Sequence, residues 1–108
     1  MAASNVVRFR VKSGQEKDFV RAHEEMFRDG MPGGEEAFLI RTGEREFCIV
    51  GLWDSMDALA AARPMMIGML DRFRHMLEDL GDGKGVTDPV SGEIVARTEA
   101  RQNQQQMA

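Results

Sequence analysis

"EAFLIRTGEREFCIVGLWD", Glu36 to Asp54, holds two apolar runs broken at Gly43 and Glu44. Runs rich in β-branched and aromatic residues around such a break predict a β-hairpin with Gly43 and Glu44 as its two-residue turn. On that register Phe38, Ile40, Phe47, Ile49 and Trp53 share one face, and Leu39, Cys48, Val50 and Leu52 share the other. Both faces are apolar. An antiparallel sheet with one side in water shows one polar face, so each side of this hairpin needs a cover. The chain's own helices can supply one, and a second copy of the sheet the other.

Upstream, "VVRFRVK" (Val6 to Lys12) alternates, with Val7, Phe9 and Val11 on one side and Arg8, Arg10 and Lys12 on the other. It predicts a strand with one charged face. Ser13, with Glu16 three residues on, offers a capping pair for the helix of "QEKDFVRAHEEMF", whose Phe19, Val20, His23, Met26 and Phe27 recur at helical spacing. "DGMPGG" ends it. Downstream, Ser55 can cap a second helix running through "MDALAAARPMMIGMLDRFRHMLEDLG", in which Pro64 is expected to kink the run or to start a new helical piece. Met66, Met69, Leu70, Phe73, Met76, Leu77 and Leu80 form its apolar stripe. In "GVTDPVSGEIVAR", Asp88 to Gly92 reads as a turn and "EIVAR" as a last strand.

The order strand, helix, strand, strand, helix, strand is the split βαβ arrangement of a ferredoxin-like α+β fold. Four antiparallel strands with two helices on one face leave the other face bare. Packing two such faces together gives a dimeric α+β barrel, so a homodimer through the sheet face is expected. The domain should span residues 1–97, and the polar, aperiodic residues 98–108 should form a disordered tail.

Composition narrows the partners. The chain has 108 residues, enough for one domain, and carries 18 acidic against 14 basic residues with no basic block. That argues against nucleic acid or an anionic membrane surface as a partner. The single cysteine, Cys48, excludes an internal disulfide, and the N-terminus lacks the apolar core of a secretory signal. A cytoplasmic location is expected. No phosphate-cradling glycine motif, metal-ligand cluster or Ser/His/Asp pattern appears, and "DLGDGKGVTDPVSGE" fails as a calcium loop because Gly81 and Lys84 stand where oxygen ligands are needed.

The element order, the aromatic closing the third strand in "GLWDSMDALAA", and a small-residue helix start followed by a proline resemble the antibiotic biosynthesis monooxygenase family of dimeric α+β barrels. The resemblance covers roughly Val6 to Arg97. It implies a pocket between helices and sheet, lined by Trp53, and relatives that include metal- and flavin-independent oxygenases of aromatic polyketides as well as haem-degrading enzymes. The haem-degrading branch resembles a trio of an Asn on the first strand, this Trp and a His on the second helix. Here Asn5 is expected to precede the first strand, and "ALAAARPMM" after Trp53 contains no His. Haem is therefore not expected, and neither is any other cofactor or metal.

Candidate site residues follow from residue chemistry. His23, on the apolar stripe of the first helix, could be a general base or a satisfied helix histidine. Arg8 and Arg10 could hold a substrate carboxylate or phenolate, or pair with acidic residues of the sheet. Met66 and Met69, among four methionines of the second helix with Met65 and Met76, could adapt to a flat ligand or fill the core. Phe38 shares the expected pocket face with Trp53. His75 lies off the stripe, and Cys48 has no neighbouring base. Two readings stand: a cofactor-independent monooxygenase acting on a small aromatic quinol or polyketide-like substrate, and a non-catalytic ligand-binding or stress-associated dimer on the same scaffold.

Overall fold

A computed structural model describes residues 1–30 and 33–98. It contains strand β1 (Ala3–Arg10), helix α1 (Glu16–Asp29), strands β2 (Gly34–Arg41) and β3 (Glu46–Trp53), helix α2 (Met56–Phe73) with a 3-10 turn at Arg74–Met76, and strand β4 (Asp88–Glu93). The strands form one antiparallel sheet in the order β2-β3-β1-β4, with both helices on one face, which is the expected ferredoxin-like α+β fold. The expected tail from residue 99 onward lies outside the described residues. No helix among those residues is long and apolar enough to cross a membrane.

The hairpin departs from its expected register by one residue. Arg41 pairs with Phe47, and the backbone N–H groups of Thr42 and Gly43 both donate to the Glu46 carbonyl, at 2.9 and 3.2 Å. The turn is therefore centred on Glu44 instead of between Gly43 and Glu44. A one-residue slip exchanges the faces of one strand against the other. Leu39 goes inward beside Ile49, while Phe38 and Ile40 turn outward beside Val50 and Cys48, 42% and 40% exposed.

Other boundaries moved for local reasons. β1 starts at Ala3, not Val6, because its early residues pair with both β3 and β4, which places Asn5 inside the strand. Gln15, not Ser13, occupies the cap position of α1, after Gly14 turns with a positive φ of 88°. Ser55 caps α2 as expected, accepting from the Ala58 N–H at 3.0 Å. α2 runs unbroken through Pro64, and the freed carbonyl of Ala60 sits at an exposed residue where water can reach it. It stops at Phe73 rather than continuing to Leu80, because Leu77 leaves the helix to bridge Val11. β4 occupies the stretch expected to be a turn. Pro89 and Gly92 are tolerated there because β4 is an edge strand, paired on one side only.

Two buried clusters hold the layers together. One centres on Phe9, Phe19, Phe47, Phe73 and Leu77, the other on Ala3, Trp53, Leu59 and Ala62.

Candidate active site

Alternation along the two central strands builds the site. On the helix-facing side, one register row runs Ala37, Gly51, Asn5, Ser91 across all four strands, and the next runs Leu39, Ile49, Val7, Pro89. Trp53 closes β3 two residues beyond Gly51 on the same face, and its indole folds back so that Nε1 donates to Asn5 Oδ1 at 2.7 Å. Only a glycine permits this. A Cβ at position 51 would lie 2.5 Å from Asn5 Oδ1 and 3.0 Å from Trp53 Nε1.

Between the two clusters lies a cavity of about 420 Å³. β1 contributes Asn5, Val7 and Phe9; β3 contributes Ile49, Gly51 and Trp53; α1 contributes His23, Met26 and Phe27. The α2 stripe of Leu59, Arg63, Met66, Ile67, Met69, Leu70 and Phe73 forms the roof, and Ala37, Thr87, Pro89 and Ser91 complete the wall. The lining is apolar apart from a few convergent groups, the usual make-up of a small-molecule site.

His23 is 1% exposed and surrounded by aromatic rings, 4.4 Å from Phe19 and 4.6 Å from Phe73 between centroids. Its Nδ1 lies 2.9 Å from the Phe19 carbonyl oxygen, which can only accept, so Nδ1 carries the proton and Nε2 carries the lone pair. Among the described residues no group hydrogen-bonds Nε2. Burial pushes the His23 pKa below its usual 6.5, opposed by the hydrogen bond to Phe19, which favours the protonated ring. The imidazole is thus neutral at pH 7 and basic at a buried atom.

The structure brings together His23, Trp53, Met66 and Met69 of the expected site residues and separates three others from them. Arg8 and Arg10 point from the opposite face of β1, where they pair with Asp88 at 3.0 Å and Glu46 at 3.5 Å. Phe38 goes with them, for the register reason given above. His75 is exposed in the 3-10 turn. Asn5, Gly51 and Arg63 were missed as site residues. The signal for Asn5 was its parity: it shares the alternation of Val7, Phe9 and Val11, and a polar residue on an apolar face flags a buried hydrogen bond.

Residues 3–64 match the antibiotic biosynthesis monooxygenase family. The chain belongs to that family. No curated protein sequence matches it. Among solved structures it is similar to SnoaB, a cofactor-independent oxygenase from Streptomyces nogalater, with 17% identity over 89% of this chain and 95% of that one, at a TM-score of 0.67. It is also similar to NE2512, a protein of unknown function from Nitrosomonas europaea (14% identity, 93% and 95% covered, TM-score 0.72). A third is Rv0793 from Mycobacterium tuberculosis (12%, 92% and 100%, TM-score 0.70). At these identities the likeness is one of fold. Within the family, Asn5 on β1 and Trp53 at the end of β3 fill two positions of the haem-degrading trio, but α2 carries no histidine and presents Arg63 and Met66 to the cavity instead. The residues present do not fit a haem ligand on that helix.

Proposed function

We propose that this family member is a cofactor-independent oxygenase acting on a planar hydroxyaromatic substrate held in the cavity. One observation carries the reading: a buried, neutral histidine lines an apolar cavity with its basic Nε2 unpartnered. Nε2 takes the proton of the enolic or phenolic O–H, leaving an electron-rich anion. Asn5 Nδ2, whose side-chain contact among the described residues is a long 3.9 Å one to Met66 Sδ, can donate to a second oxygen of the substrate. The anion's ring carbon adds dioxygen, forming a C–O bond and a peroxide anion, and the imidazolium returns its proton to the terminal oxygen. Loss of water from the hydroperoxide converts a ring CH₂ to C=O, with one oxygen atom in the product and one in water. A dry cavity protects the anion from competing protonation, and the fully buried Trp53 holds the Asn5 side chain in place through its indole N–H.

We also infer that a second copy covers the outer sheet face. Phe38, Val50, Val6 and Val90 form one continuous apolar row across the four strands there, and no helix among the described residues covers it. A patch of this kind marks an interface.

Oxygen uptake with a panel of anthrones and quinols tests the reading. The expected result is saturable consumption of one dioxygen per substrate, reduced about 10²- to 10⁴-fold in His23→Gln, the range for loss of a general base. Saturable binding without turnover would leave a binding protein and overturn the oxygenase.

A further inference from the structure

The cavity-facing stripe of α2 is apolar except at Arg63. Among the described residues Arg63 is the only charged one in the lining, and it is exposed. Its helical neighbours at three and four residues are Leu59, Ala60, Met66 and Ile67, so the helix offers it no carboxylate. Among the described residues it makes no ion pair and no side-chain hydrogen bond, whereas Arg74, just past the end of that helix, is held by Asp71 at 2.9 Å. A guanidinium left without a partner beside a mostly apolar cavity is a ready anion site, since its planar fork matches a carboxylate with two parallel hydrogen bonds.

Position along the helix sets the ligand's shape. Phe73, which touches His23, lies ten residues beyond Arg63, or about 15 Å along the axis. Side chains lean toward a helix's N-terminus, so Arg63 reaches away from His23 rather than toward it. The cation and the base therefore sit at opposite ends of the cavity, a span that suits a fused polycycle better than a single ring.

We propose that Arg63 selects extended fused-ring substrates bearing a carboxylate at the end remote from the reacting oxygen. The proposal rests on the reading of the cavity as an aromatic-substrate site. It is tested by titrating an anthraquinone carboxylate and the matching carboxamide against wild type and Arg63→Gln, read by Trp53 fluorescence and calorimetry. The acid should bind about tenfold tighter than the amide to wild type, equivalent to about 1.4 kcal/mol. Arg63→Gln should erase that difference and leave the amide's affinity unchanged. If acid and amide bind wild type equally, the cavity reading survives and the role of Arg63 is overturned. If neither binds, both fall.

Discussion

Replacing His23 by phenylalanine should make the protein more stable and inactive. The imidazole already lies in a nest of Phe9, Phe19, Phe27 and Phe73, and the cavity beside it leaves room for the slightly larger ring. The change removes the Nδ1–H bond to the Phe19 carbonyl, a loss of about 0.5–1.5 kcal/mol, but that carbonyl keeps its place in the helix ladder. It also removes the buried, unpartnered Nε2, whose desolvation costs about 1–3 kcal/mol. The balance favours the variant by about 1 kcal/mol, or about 4–8 °C in Tm for a domain of this size. The same substitution should abolish oxygen uptake. Calorimetry and oxygen-electrode assays on the two proteins check both halves. A fall in Tm of several degrees would refute the reasoning, because it would mean that Nε2 is satisfied in solution and that the histidine belongs to the core rather than to a reaction.

Acid titration follows from the same group. Its folded pKa is depressed by burial, so the folded state resists a proton that the unfolded chain takes up below pH 6.5; stability should fall as pH drops from there, and His23→Phe should flatten that slope in urea melts at several pH values. Activity should persist below pH 6.5, since the base stays neutral there, and a kcat/KM profile whose acid limb lies above 6.5 would contradict it. Gly51→Ala should force Asn5 and Trp53 apart; losing their hydrogen bond costs about 1–3 kcal/mol, partly offset by about 0.5–1 kcal/mol from replacing glycine in a strand, with a shift in the emission of the single tryptophan as the readout. Val50→Asp, in the centre of the outer apolar row, should convert a dimer to monomer or unfold it; sedimentation at an unchanged dimer mass would remove the face-to-face assembly.

How much of this was legible in the sequence depends on the kind of signal. Element order and the two apolar faces of the hairpin were readable because they rest on apolar periodicity, which tolerates small boundary errors. The assignment of side chains to faces was not, because it hangs on one turn. "RTGER" supports a turn centred on Glu44 as well as one between Gly43 and Glu44, and the choice moved Phe38 and Leu39 to opposite sides of the sheet. β4 was misplaced because Pro and Gly read as turn formers, and their tolerance on an edge strand is a property of the finished sheet. Trp53 was singled out through the family resemblance and His23 through its place on the helical stripe, and both line the cavity. Arg63 was passed over because a charge on a helix is ordinarily a solvated one, and only the assembled roof shows that it shares a stripe with Leu59, Met66 and Leu70.

The same alternation that builds the cavity builds the outer face. On β1, Asn5, Val7 and Phe9 face the helices, and Val6, Arg8 and Arg10 face away; on β3, Ile49, Gly51 and Trp53 face the helices, and Cys48, Val50 and Leu52 face away. A slip of one residue in the β1–β3 pairing would carry the Asn5–Trp53 bond and the apolar row out of place together, so the site and the face proposed for dimerisation share one structural determinant. Gly51 lies at the point where the two meet. Its missing side chain lets Trp53 reach Asn5, and its flanking residues Val50 and Leu52 belong to the outer face. Substitutions that alter this register should therefore lose ligand binding and dimerisation at once, while His23→Phe or Arg63→Gln, which leave the strands untouched, should alter only the cavity.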